Sequence, residues 1–250
     1  MFSYTVFKHA LKSNYFLWLI VTLTTTIFLS ATIFAVESLT SDGASLPGAD
    51  GNIFSLLNQT FFSMIGILLP LIYIVVVSNK VISKEVDNGS MAFTMTTPVG
   101  RTRLIFSRLL FLFISIVTMF TIITIGGLAA ASTLSINFDS GTMLKLMLNL
   151  LFLELSFAGI TILMSSIFNK SSLSLGLGAG LTLGMFLVST IASLATDLEP
   201  LKYLSLVQFY DVNGIINNSE NQINIIILVV VFTTLSFIGI QVFRKKNLPL

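Results

Sequence analysis

The sequence has no cysteine, a single histidine and few charges, and each shortage closes off a class of function. Without cysteine there is no disulfide framework and no thiolate metal site. His9 alone supplies neither a histidine metal cluster nor a catalytic triad, and the H-E-x-x-H pattern of a metalloprotease is excluded. No paired in-membrane aspartates mark an intramembrane protease. No G-x-x-x-x-G-K-[ST] phosphate loop is present, so the chain does not bind and hydrolyse ATP by P-loop chemistry. Charged residues are 10% of the chain, against roughly 25% in a soluble domain. That leaves too little polar surface to cover a water-soluble particle of this size.

What the chain has instead is apolar: 54% of its 250 residues are hydrophobic and 22 are phenylalanine. A helix needs about 20 mainly apolar residues to cross the hydrocarbon core of a bilayer. Six stretches qualify: Tyr15 to Val36, Gln59 to Ser78 with a lead-in from Ile53, Leu109 to Ala131, Met143 to Phe168, Leu173 to Ala195, and Ile223 to Phe243. The first follows Lys8 and Lys12 like a signal peptide, but its apolar run exceeds the roughly 7–15 residues of a signal h-region, so it reads as a retained span. The expected fold is an all-α integral membrane protein, one transmembrane domain over residues 1–250.

Basic residues sort sharply between the loops. Lys8, Lys12, Lys80, Lys84, Arg101, Arg103, Arg108, Lys170, Arg244, Lys245 and Lys246 fall on one side, and only Lys145 and Lys202 on the other. The positive-inside rule therefore puts both termini and the segment 79–108 in the cytoplasm. Glu37, Asp42, Asp50, Asp139, Asp197, Glu199, Asp211 and Glu220 fall outside. A multi-pass protein of the cell membrane, with the lipid bilayer as its surroundings, is the expectation.

Three features stand out within that frame. Residues 1–14 place Phe2, Val6, Phe7, Ala10 and Leu11 at helical spacing with Lys8 and Lys12 on another face, which suits an amphipathic helix in the cytoplasmic interface; a frayed terminus is the plainer reading. In "GLGAGLTLG", Gly176, Gly180 and Gly184 lie four apart on one helix face, where small residues let two helices approach closely. That stripe meets another helix of the same chain or, on the sharper reading, a second subunit. Glu154 falls near the middle of the fourth span, where an ionised carboxylate is expensive. It is either hydrogen-bonded to neighbouring hydroxyls or part of a substrate path or proton relay.

The segment between the second and third spans differs from the rest in its charge and turn residues. "EVDNGSMAFTMTTP" offers a turn and cap at Asn88, Gly89 and Ser90, a short apolar body in Met91, Ala92, Phe93 and Met95, and a stop before Pro98. So short a helix does not stand alone in water, and Phe93 with its methionines makes a knob for a partner's groove. Arg101, Arg103 and Arg108 then fall at the headgroups on the way back into the membrane. The plainer alternative is a basic loop that only fixes topology.

The pattern Glu85-x-x-x-Gly89-Ser90, an apolar stretch, then Thr97-Pro98-Val99-Gly100-Arg101 resembles the cytoplasmic signature of ABC-2-type permeases. The resemblance covers the whole chain, including the outer segment 197–222, where Tyr203, Phe209 and Tyr210 suit a membrane interface. It implies the membrane subunit of an ATP-driven exporter of amphipathic or hydrophobic cargo: peptide, antibiotic or lipid. It implies partnership with a separate ATPase subunit, which carries the ATP and Mg, and with a second permease subunit in a homo- or heterodimer. No nucleic acid is among the expected partners. A coupling helix would contact the ATPase through Glu85, Gly89, Ser90, Met91, Phe93 and Met95, with Pro98 and Arg101 setting its exit. The rival class is a non-transporting sensor or immunity protein that binds a peptide.

Overall fold

The computed structural model describes residues 3–41, 53–89, 100–133, 138–193, 196–217, 219 and 222–246, and all regular structure among them is helical. The order is α1 (Tyr4–Ser41), α2 (Ile53–Leu57), a π-helical segment (Asn58–Ile65), α3 (Gly66–Val81), α4 (Ser83–Asp87), α5 (Arg101–Ala131), α6 (Ser140–Ile167) and α7 (Ser171–Ala192). Two 3₁₀ helices (Thr196–Leu204 and Leu206–Phe209), α8 (Val212–Ile216) and α9 (Gln222–Lys245) follow. Six helical stretches among the described residues are long and apolar enough to cross a membrane, and each overlaps one of the expected spans, the fourth and fifth ending at Ile167 and Ala192, short of the expected Phe168 and Ala195.

A membrane helix must satisfy its polar groups internally, and several of its Thr residues do so. Thr22, Thr25, Thr26, Thr121 and Thr124 each donate to the carbonyl four residues back, at 2.7 or 2.8 Å except Thr22, at 2.6 Å. Their hydroxyls therefore enter the bilayer at little cost.

α6 is the hub. It packs against α9, α3, α7 and α5. Of its most apolar stretch 78% is buried within the chain, against 11% for α9. α6 is apolar all round because every face meets protein, and α9 because most of its faces are left for lipid. Contacts without side chains bring the pairs together. A Cβ on Gly127 of α5 would fall 2.6 Å from Leu29 Cδ2 of α1, and one on Gly239 of α9 would fall 3.2 Å from Ile162 Cγ2 of α6. The Trp18 indole donates to the Ser115 carbonyl at 2.8 Å and locks α1 to α5.

The amphipathic N-terminal stretch is not a separate helix. α1 runs unbroken for 38 residues, about 57 Å at 1.5 Å per residue, so it extends well beyond a core of about 30 Å. No Gly or Pro interrupts it, and Asn14 donates its amide to the Ala10 carbonyl at 2.7 Å instead of ending the helix. Phe7 stacks edge-on against Phe111 of α5, with ring centroids 6.0 Å apart.

Candidate functional site

Both ends of the described chain, the start of α5 and the α6–α7 turn meet at one end of the bundle, and α4 stands at their centre. α4 begins one residue after α3 stops, at Ile82. It stops at Asp87, and two residues on Gly89, with φ of 68°, makes the left-handed turn that glycine adopts without penalty. From this short helix and the last turn of α3, polar contacts reach the other spans. Glu85 pairs with Arg108 of α5. Lys80 donates to the Ser13 carbonyl of α1 at 2.7 Å. Asn79 donates to the Ser171 hydroxyl at 2.8 Å, and the Ser171 backbone N–H donates to Asp87 at 3.0 Å. Asp87 thus places an acidic acceptor at the N-terminus of α7, where the helix dipole favours it.

The remaining links converge on the end of α6. Ser83 donates to the Phe168 carbonyl at 3.3 Å, and Lys246, just beyond α9, donates to the same oxygen at 2.8 Å. Half-burial lowers the Lys246 ammonium to about 8. α4 itself therefore has direct polar handles on α5, α7 and the carbonyl where α6 and α9 meet, and the last turn of α3 adds one on α1.

Of the residues expected in the coupling segment, Glu85 and Gly89 lie in this junction. Ser90, Met91, Phe93, Met95 and Pro98 lie outside the described residues, and Arg101 is the first residue of α5. Arg103 is exposed, as a headgroup position requires, but Arg108 is not. Its side chain is buried and turned to Glu85, because it falls on the inward face of α5 with Leu104, Ile105, Phe111 and Leu112. Sequence reading missed this role; the signal was an arginine at the three- and four-residue spacing of a buried apolar stripe.

Among the described residues the glycine stripe meets no other helix. A Cβ at Gly176, Gly180 or Gly184 would have no neighbour within 4 Å among the described residues; the close glycine of α7 is Gly178, facing Thr161 and Met164 of α6. The intrachain reading of the stripe therefore gives way.

The opposite end of the bundle holds a cavity of about 300 Å³ between the π-helical segment, the end of α7 and the segment after it. In an α-helix residues five apart point about 140° away from each other. The wider π-helical turn instead brings Ser63 against Asn58, Oγ to Oδ1 at 2.7 Å, and both line the cavity. Tyr210 also lines it and is not an interfacial residue: it is buried, whereas Tyr203 is 80% exposed. Burial, and then the charge of Glu154, push the Tyr210 phenol well above its ordinary value. Glu154 itself is fully buried on α6, and neither of its carboxyl oxygens has a partner among the described residues. The hydrogen-bonded structural reading of Glu154 is therefore not what the side chains show.

A six-span helical bundle with a polar junction around α4 is the frame that the sequence signature implied. The family model described as "ABC-2 family transporter protein" matches residues 7–248. The chain belongs to this family. It is an ABC-2 permease, a multi-pass protein of the cell membrane and the membrane component of an ABC transporter, a family whose members partner with an ABC ATPase subunit. No curated protein matches it.

Proposed function

We propose that this permease exports an amphipathic or hydrophobic cargo (peptide, antibiotic or lipid) and is driven by an ATPase subunit docking on the segment between its second and third spans. The observation that carries the reading is the α4 junction. A five-residue helix does not stabilise itself, yet α4 and its approach are bonded to α1, α5, α7 and the end of α6. An element so connected, next to the Gly89–Ser90 and Pro98 signature, is built to pass force.

In this mechanism the ATPase pair closes on ATP and shifts the coupling segment, with Ser90, Met91, Phe93 and Met95 as its contacts and Pro98 and Arg101 leading back into α5. Glu85 carries the shift to α5 through Arg108, and Asp87 carries it to α7. A rigid-body movement of two permease subunits then opens a path between them. The outward Gly176, Gly180 and Gly184 of α7 support a second subunit packing there, because membrane helices associate through small residues rather than through a hydrophobic effect. The basic residues gathered at the α4 end support a cytoplasmic location for it.

Co-expression with the ATPase encoded nearest to the permease, purification in mild detergent and an ATPase assay test the proposal. A stable complex is expected, and Phe93→Asp is expected to break it while leaving the permease monodisperse. If no ATPase binds the unaltered permease, the segment is a topology loop and a sensor or immunity role takes the place of export.

A further inference from the structure

The cavity at the end of the bundle opposite the termini draws its polar wall from four elements. Asn58 and Ser63 come from the π-helical segment, Ser189 from the end of α7, Gln208 from the second 3₁₀ helix and Asn213 from α8. The π turn brings the first two together. It sets the Ser63 hydroxyl on Asn58 Oδ1, and the Asn58 NH₂ group keeps its two donors for another partner. The Ser189 hydroxyl and the Gln208 and Asn213 side-chain amides make no hydrogen bond among the described residues. These residues are not sealed from the cavity: Asn58, Ser189 and Gln208 are half-buried and Asn213 is exposed. Ile67, Phe186, Val207 and Val212 add apolar lining among the polar groups.

The charged lining residues are already engaged. Asp211 accepts the Gly214 N–H at 2.9 Å as the cap of α8, and Lys202 interacts within the chain. The unspent capacity is therefore neutral, made of amides and a hydroxyl that both donate and accept. A matching ligand is itself neutral, with several hydroxyls on its rim and an apolar face. A sugar ring has this chemistry. Each of its hydroxyls donates one hydrogen bond and accepts two, and a planar side-chain amide can donate to one and accept from its neighbour. Its C–H bonds supply the apolar face. The cavity, about 300 Å³, is at the lower end of the roughly 300–1,000 Å³ of small-molecule sites, so the ligand is small.

We propose that this cavity binds a single neutral sugar ring, with Asn58, Ser189, Gln208 and Asn213 on its hydroxyls and the apolar lining against its C–H face. The ring belongs to a soluble saccharide or to a glycolipid headgroup. Binding there does not depend on the export reading.

The test needs no ATPase and uses the full chain in nanodiscs of phosphatidylcholine. The probes are the methyl glycosides of glucose, galactose, mannose and N-acetylglucosamine, with glycine as a zwitterionic counterpart. Saturation transfer from protein to probe is read by NMR, with empty discs subtracted. Binding of at least one glycoside is expected, and none of glycine. The double variant Ser189→Ala, Gln208→Leu is expected to weaken glycoside binding about tenfold, the factor for two neutral hydrogen bonds. Neither side chain bonds within the described chain, so its thermal midpoint is expected to stay unchanged. Asn213→Ala, at an exposed position, is expected to weaken binding about fivefold on its own. No glycoside signal above empty discs, equal glycoside signals from the native and variant proteins, or glycine binding in place of the glycosides would overturn the proposal. A repeat in discs containing the diacylglycerol glycoside of the sugar that binds separates the sources. Loss of the probe signal assigns the site to the lipid headgroup, and its persistence assigns it to a soluble saccharide.

Discussion

Arg108 of α5 and Glu85 of α4 are 23 residues apart in sequence and form an ion pair in which the arginine side chain is 3% exposed and the glutamate 25%. Breaking a buried pair strands a charge and costs roughly 3–5 kcal/mol, whereas replacing both partners costs far less. Glu85→Gln is therefore expected to lower stability by about 3 kcal/mol, the lower end because the glutamate is partly solvated. Adding Arg108→Met to it is expected to recover most of the loss. Equilibrium unfolding of Glu85→Gln, Arg108→Met and the double variant in mixed detergent measures this; additive losses would show that the two side chains act independently.

Asp87 serves α7 from another helix. Its carboxylate accepts the Ser171 N–H, so Asp87→Ala is expected to raise amide exchange at Ser171 roughly fivefold, the effect of a cap worth about 1 kcal/mol. The same variant in complex with the ATPase is expected to hydrolyse ATP while exporting less, if α4 transmits motion to α7. Hydrogen exchange and a paired hydrolysis and export assay check the two parts separately.

Glycines on two helices of similar composition are expected to respond differently. Gly127→Val drives a side chain into Leu29 and Met143, within 2.6 and 2.9 Å of the first added atom, and overpacking of this kind costs about 1–3 kcal/mol. Gly180→Val meets open space and is expected to leave the thermal midpoint of the isolated permease unchanged. Because the chain has no native cysteine, Gly180→Cys can be cross-linked without background, and a trapped second permease subunit is the expected product.

Asp139 gives the start of α6 a pH dependence of known sign. The Thr142 hydroxyl donates to it at 2.6 Å and the Gly141 N–H at 2.9 Å, and these bonds hold its carboxyl below the usual value. A depressed carboxylate contributes stability that is complete above its unfolded pKa, about 3.9, and is lost as the pH falls through the folded value. Protection of the Gly141 and Thr142 amides is expected to hold through neutral and weakly acidic pH and to decline only below about pH 4. Asp139→Asn is expected to flatten that decline.

The spans were legible because hydropathy is a local property: each expected apolar run falls on one helix, with ends off by at most a few residues. The facing of those helices was not. Lipid is as apolar as a neighbouring span, so α7 carries no pattern telling Gly178, which touches α6, from Gly180, which does not. Arg108 was legible in principle from its place among Leu104, Ile105, Phe111 and Leu112, but its partner lies 23 residues away on another helix, beyond the reach of any periodicity. Tyr210 sits among short 3₁₀ helices without a long repeat, and composition alone suggested the interface instead of the interior. Glu154 could be singled out because an acid within a span is rare on physical grounds, whatever surrounds it.

The contact between α6 and α9 also sets an order of events during synthesis. α9 is made after the other five described spans, yet it covers Gly159 with Phe232 and Leu235, and its Leu228 carbonyl accepts the Ser156 hydroxyl at 2.9 Å. Until the ribosome has released those residues, the central helix stands in the membrane with that flank bare. A nascent chain halted before Gln222 is therefore incomplete at its core rather than at its edge, and it offers the membrane's quality-control machinery an unclosed groove to recognise.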